Sequence, residues 1–186
     1  MSRPTPALLG EAHCILAYLH NTRDLGLRYE SGQRELHAFT DSDWATRCST
    51  PGNTIQWQGC TIEWASTQQT SVALSSCEAE IMAASKAAKS TSYYHRQLFE
   101  ELGFAPPGPT TVYMDNKAAI DLAYNPEHHG RTKHITRRRF FICELVKDQS
   151  ITVPYIPSAE NVADFFTKIL SNKDFFRLRD IIMNVA

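Results

Sequence analysis

No C-x-x-C pair occurs anywhere in this chain. Its five cysteines, Cys14, Cys48, Cys60, Cys77 and Cys143, are scattered and odd in number. Neither a disulfide framework nor a cysteine zinc site is indicated, and a reducing, intracellular compartment is expected. A dominant charge is missing too: 19 Lys and Arg against 20 Asp and Glu leave a net charge of -1. No global basic field advertises a polyanion partner, so any nucleic-acid surface must be local. No apolar run is long enough to span a bilayer, and residues 1–10 do not read as a signal peptide. Internal repeats and low-complexity tracts are absent. What remains is 186 residues, 42% of them hydrophobic. That suits one packed domain with room for a short appendage.

Taken in order, Leu8 to His20 carries an apolar side (Ile15, Leu16, Leu19) and predicts a helix ended near Asn21 and Gly26. Leu27 to Tyr29 is a candidate short strand. Glu35 to Ala45 alternates with period two and predicts a strand. Ser49 to Asn53, with Pro51-Gly52, predicts a turn; Thr54–Gly59 and Cys60–Ser66 then predict two strands hinged at Gly59. Ser75-Ser76 offers N-cap hydroxyls to a long, alanine-rich helix reaching Leu102. A strand over Thr110–Met114, helices over Lys117–Tyr124 and His134–Lys147, and a strand over Ile151–Pro157 follow. The last helical region starts at Ser158 or Glu160 and breaks near Ser171-Asn172. This order predicts an α/β fold: a mixed sheet, three antiparallel strands and then parallel ones, flanked by helices.

Four acids stand out by position. Asp41 ends the first strand and Asp115 ends the strand after the crossover. Glu80 lies early in the alanine-rich helix, and Asp164 lies near the start of the final helical region. Each has a simpler role when taken alone. Glu80, like Glu78, could serve the helix dipole. Asp115 could cap a helix. Asp164 could pair with Lys168 at i+4, which is worth little. Glu78 and Glu80 lie about 200° apart on a helix and cannot share a site; Glu80 shares its face with Ala83, Ala84 and Ala87, the side expected on the sheet. Together the four converge on one sheet edge, where open sheets place their sites. Asp43 shares a strand face with Asp41 on a period of two.

Several stretches resemble the ribonuclease H domain of copia-type (Pseudoviridae-like) retrotransposon polyproteins. They are Thr40-Asp41-Ser42-Asp43-Trp44-Ala45, then residues 72–83 around Ser76-Cys77-Glu78-Ala79-Glu80, then Met114-Asp115-Asn116-Lys117. Arg131-Thr132-Lys133-His134 and Ala163-Asp164-Phe165-Phe166-Thr167-Lys168 complete the set. The likeness covers nearly the whole chain. Residues 1–33 resemble the segment that joins a reverse transcriptase to this domain, which would then occupy residues 34–186.

The resemblance implies a five-stranded ribonuclease H-like sheet and hydrolysis of the RNA strand of an RNA/DNA hybrid during reverse transcription. The catalytic and metal-binding set would be Asp41, Glu80, Asp115 and Asp164. Two Mg²⁺ ions, with Mn²⁺ as a substitute, would lie about 3.5–4 Å apart. Asp41 would bridge them, Glu80 and Asp115 would complete the leaving-group ion, and Asp164 the ion that activates water. Asp43 and His134 are candidate outer helpers. Arg131, Lys133, Arg137, Arg138 and Arg139 put five cations in nine positions, a candidate phosphate contact. Ser76, Cys77 and the Trp44 backbone are candidates for reading 2′-hydroxyls. Trp44, Trp57 and Trp64 are expected in packing rather than base stacking. The implied partners are the hybrid and the reverse transcriptase of the same polyprotein, not a membrane; the implied location is cytoplasmic virus-like particles.

Departures from the family pattern are visible. Residues 155–160 hold no histidine, although the family often has one before its last Asp. His128 and His129 lie earlier, in a polar loop. The connecting helix is less basic than usual, and residues 135–141 lack the usual acidic-aromatic character. Two other classes compete: an integrase or transposase of the same fold, whose last acid is characteristically Glu, and a repurposed domain that binds without cutting.

Overall fold

The computed structural model describes residues 5–44, 49–69, 73–125 and 133–185, with the backbone alone at 133–136. Alternation of apolar and polar residues builds the sheet. Strands β1 (Leu36–Asp43), β2 (Thr50–Trp57) and β3 (Cys60–Ser66) pair antiparallel in sequence. The β2–β3 hairpin turns on Gln58 and Gly59, both with positive φ (56° and 80°), the left-handed pair that a two-residue hairpin demands. Strand β4 (Thr110–Tyr113) then joins β1 in parallel, and β5 (Ile151–Thr152) joins β4 in parallel, giving the order β3-β2-β1-β4-β5.

The crossover between β3 and β4 is helical. Helix α2 (Ser76–Lys89) starts at Ser75, whose hydroxyl accepts from the Glu78 N–H, while Glu78 Oε2 accepts from the Leu74 N–H at 2.7 Å. A capping arrangement of this kind fixes where a helix begins. Ala79, Ala83, Ala84, Ala87 and Ala88 are all buried, so the helix lies close to the strands. Beyond it the single long helix expected from sequence is interrupted. Ser90–His95 winds as a π-helical turn before α3 (Arg96–Glu101). Buried Thr91 donates its hydroxyl to the Ala87 and Ala88 carbonyls, a competing bond that accounts for the wider turn.

Helices α4 (Lys117–Tyr124) and α5 (Lys133–Lys147) pack with α2 over the sheet. Ile81, Val112, Met114, Ile142, Ile151 and Val153 form the main core. Two short 3₁₀ turns, Ser158–Glu160 and Val162–Phe166, lead to α6 (Asn172–Met183). Helix α1 (Pro6–Asn21) buries none of its residues; Tyr18 meets Phe175 of α6 edge-on at 5.6 Å.

Several local expectations fail. Pro51-Gly52 is not a turn but the start of β2, paired with Ser42 and Asp41. Leu27 to Tyr29 is irregular. The last strand is two residues long rather than seven: Pro154 and Pro157 cannot donate to a ladder, and pairing resumes only as one bridge, Met114 to Tyr155. Trp44 and Trp64 are about half exposed rather than packed; only Trp57 stacks, on Phe99 at 4.0 Å. Among the described residues no helix is long and apolar enough to cross a membrane.

Candidate active site

Two parallel neighbours, β1 and β4, present one acid each toward their carboxyl ends. Asp41 is the sixth of the eight residues of β1 rather than its last, and is 2% exposed. Asp115 lies two residues beyond β4, after Met114. It is not the cap of α4, because Asn116 fills that role through its side chain and the Ala119 N–H. The Thr40 hydroxyl donates to the Tyr113 carbonyl and ties the two strands together beneath the acids.

Asp164 arrives from more than a hundred residues away, and one residue places it. Asn161 is fully buried; its Nδ2 donates to the Thr40 carbonyl at 2.9 Å and its Oδ1 accepts from the Ala163 N–H. It thereby pins the Val162–Phe166 turn to β1. Gly52 permits the close approach. A Cβ there would sit 2.6 Å from Thr167 Cγ2 and 2.8 Å from Phe166 Cβ. The Ser66 hydroxyl, donating to the Phe166 carbonyl at 2.6 Å, fastens the same turn to β3.

One carboxylate oxygen from each of Asp41, Asp115 and Asp164 lies within 4.8 Å of the others. Glu80 stands on α2 outside this three-acid group, 4% exposed, with Oε1 accepting from the Ser42 N–H at 3.2 Å; its Oε2 is buried without a hydrogen-bond partner. Burial pushes the Glu80 pKa up to about 9, and the charges of Asp41 and Asp115 add to the rise against the Ser42 N–H and Lys168. Burial likewise lifts Asp164 to about 6, although its hydrogen bond to Lys168 opposes this. Like-charged acids held this close need a cation or a proton.

Sequence reasoning named Lys168 as a partner of Asp164 but missed its contact with Asp41 and missed the donors Thr167 and Ser158. Lys168 Nζ lies 2.7 Å from Asp164 Oδ1 and 3.3 Å from Asp41 Oδ1. The Thr167 hydroxyl donates to Asp41 Oδ2, and the Ser158 hydroxyl donates to Asp115 Oδ2 at 2.6 Å. Only the i+4 spacing of Lys168 from Asp164 was a local signal. The all-oxygen donor set and the unpartnered Glu80 oxygen fit a hard divalent cation such as Mg²⁺.

Other sequence candidates scatter. Asp43 is exposed at the end of β1, outside the three-acid cluster, because the strand leaves its cover there. Ser76 is exposed in the first turn of α2, and Cys77 is half-buried against the main core. The Trp44 indole donates to the Ala73 carbonyl at 3.1 Å. Arg137 and Arg138 are exposed, but Arg139 is 5% exposed. Arg139 precedes Ile142 by three residues on the inward side of α5, so it offers no surface for phosphate. Arg131, His128 and His129 lie outside the described residues, as do the side chains of Lys133 and His134. Arg138 instead shares a cleft on the outer side of α2 with Lys86, Lys89, Ser85 and Thr67, and no carboxylate lines it.

No family model matches the chain. Several curated relatives do, among them two Pol polyproteins. The Retrovirus-related Pol polyprotein from transposon TNT 1-94 of Nicotiana tabacum is 37% identical over 172 residues, covering 90% of this chain and 13% of that protein. The Retrovirus-related Pol polyprotein from transposon RE1 of Arabidopsis thaliana is 33% identical over 180 residues, 94% of this chain and 12% of that protein. The chain thus spans about an eighth of their length. Among solved structures, LC11-RNase H1 in complex with an RNA/DNA hybrid superposes with a TM-score of 0.55 at 14% identity, over 72% of this chain and 94% of that one. The chain therefore belongs with the Pol polyproteins of copia-type retrotransposons, matching one segment of them, and that segment has the ribonuclease H fold.

Proposed function

We propose that this domain is an endonuclease that hydrolyses the RNA strand of RNA/DNA hybrids with the help of two Mg²⁺ ions. The observation that carries the reading is the meeting of Asp41, Asp115 and Asp164 at the ends of two parallel strands, with the orphaned Glu80 oxygen beneath. The bound ions would supply a nucleophile at neutral pH and relieve charge at the phosphate. The protein's part is positional. Asp41, next to the Asp164 turn, would be the acid held in common by the two ions. Glu80 and Asp115 would hold the leaving-group side, and Asp164 the water side. Asn161 and Gly52 keep the last acid in register with the first. Ser158 orients Asp115 from the loop that lacks a histidine.

Grip would come from two directions. Ser76 and the Trp44 backbone flank the cluster from the start of α2 and the end of β1, where 2′-hydroxyls could be read. Lys86, Lys89 and Arg138, with Arg137 beside them, offer cations to a phosphate backbone. Residues 1–33, with the uncovered helix α1, we assign to the connection with a preceding reverse transcriptase domain; residues 34–186 form the nuclease. The setting would then be a polyprotein in cytoplasmic virus-like particles. A labelled RNA/DNA hybrid with Mg²⁺ tests the function. Cleavage of RNA alone, lost in Asp115→Asn, supports it. Cleavage of duplex DNA would point to an integrase-like enzyme, and binding without cleavage to a repurposed domain.

A further inference from the structure

An ion pair between Asp164 and Lys168 at i+4 would count for little on an exposed helix. Here the lysine has a second partner 127 residues distant. Its ammonium bridges Asp164 Oδ1 at 2.7 Å and Asp41 Oδ1 at 3.3 Å, and the Asp41 side chain is 2% exposed. The remaining Asp41 oxygen takes the Thr167 hydroxyl. Thus both oxygens of the central acid, and one of Asp164, are already occupied by donors from adjacent residues of one turn. A divalent ion seeking Asp41 and Asp164 together meets a protein cation lying between them.

We propose that Lys168 is a tethered counter-cation of the carboxylate cluster. Its ammonium holds Asp41 and Asp164 together in the metal-free protein and must leave that pair when a divalent ion binds, so that ion binding is an exchange. The inference rests on reading the cluster as a divalent-cation site. Two features support it. The two acids would otherwise repel at short range with Asp115 beside them. The side chain is 36% exposed, so it has a route outward on its four-carbon stem. Lys168 is therefore a positioning residue, setting the spacing of Asp41 and Asp164 and how readily a divalent ion enters between them.

Calorimetric titration of Mg²⁺ into the wild type, Lys168→Met and Lys168→Arg tests this. The Met variant is expected to bind the ion roughly tenfold more tightly, since no competing charge must be displaced, and to melt at lower temperature in EDTA. The Arg variant keeps the charge and is expected to return to wild-type affinity or below. A measurement on the wild type removes dependence on folding of the variants. The Lys168 ammonium resonance, slowed in exchange by two carboxylates, is expected to become solvent-like when Mg²⁺ is added. Equal or weaker ion binding by Lys168→Met, or an ammonium signal unmoved by Mg²⁺, overturns the proposal alone. Failure of all three proteins to bind Mg²⁺ or Mn²⁺ overturns the cation-site reading and the proposal with it.

Discussion

Replacing Glu80 with glutamine is expected to stabilise the metal-free domain at neutral pH while removing its activity. Glu80 is 4% exposed, and burial with the charges of Asp41 and Asp115 raises its pKa from 4.5 to about 9. Below pH 4.5 the acid is protonated in both the folded and the unfolded chain. Between pH 4.5 and about 9 only the unfolded chain gives up the proton. The folded state therefore loses stability as pH rises through this window, at about 1.4 kcal/mol per unit. Glutamine has no proton to lose, and its carbonyl can keep the bond from the Ser42 N–H. Its NH₂ stands where the protonated acid carries its OH. By pH 7 the gap between variant and wild type should have opened by up to about 3 kcal/mol relative to pH 4. For a chain of this size that is a melting shift of roughly 5–10 °C. Thermal melts in EDTA from pH 4 to pH 9 measure it. A variant that is less stable at every pH, by a constant amount, would refute the argument, because it would show that Glu80 is not held protonated. Adding Mg²⁺ should reverse the order, since a charged carboxylate is a much stronger ligand for the ion than a neutral amide.

The same proton gives a binding prediction: Mg²⁺ must displace it from Glu80, so affinity should rise from about pH 6 to about pH 9, with proton release visible as buffer-dependent titration enthalpy. Gly52→Ala would drive a Cβ into Thr167 and Phe166; it should cost about 1–3 kcal/mol and lower cleavage at least about tenfold by displacing the Asp164 turn, as melts and hybrid-cleavage rates would report. Charge reversal at Lys86, Lys89 and Arg138 should weaken hybrid binding and flatten its salt dependence by about one unit of slope for each phosphate no longer engaged, read from affinities at several salt concentrations, with the cleavage rate at saturation little changed.

Strands β1 and β4 and two of the acids, Asp41 and Asp115, could be read locally because their causes are local. A period of two marks β1 and β4, and an acid at a strand end needs no distant partner to be noticed. Pro51-Gly52 misleads for the opposite reason. Proline and glycine are turn signals within a few residues, yet Gly52 is small because Thr167 and Phe166, far along the chain, press against it. Arg139 misleads in the same way: three consecutive arginines look like a solvated face, while helix geometry turns the third inward beside Ile142. Asp43 shows the limit of strand periodicity, since alternation orients a side chain only while the sheet continues to cover it.

The site has a deeper asymmetry. Acids that cluster announce themselves by type and position, but the charges that compensate them are set by tertiary contacts. Asp41 is balanced by the ammonium of Lys168 and the hydroxyl of Thr167, 127 and 126 residues away, and Asp115 by Ser158. Glu80 has only the Ser42 N–H, so its balance is a proton. The cost of burying these acids is thus met by three devices, ammonium, hydroxyl and proton. All three devices are reversible by a divalent cation. The buried Glu80 oxygen without a hydrogen-bond partner fits the same proposal, in which a divalent cation takes the place of the proton.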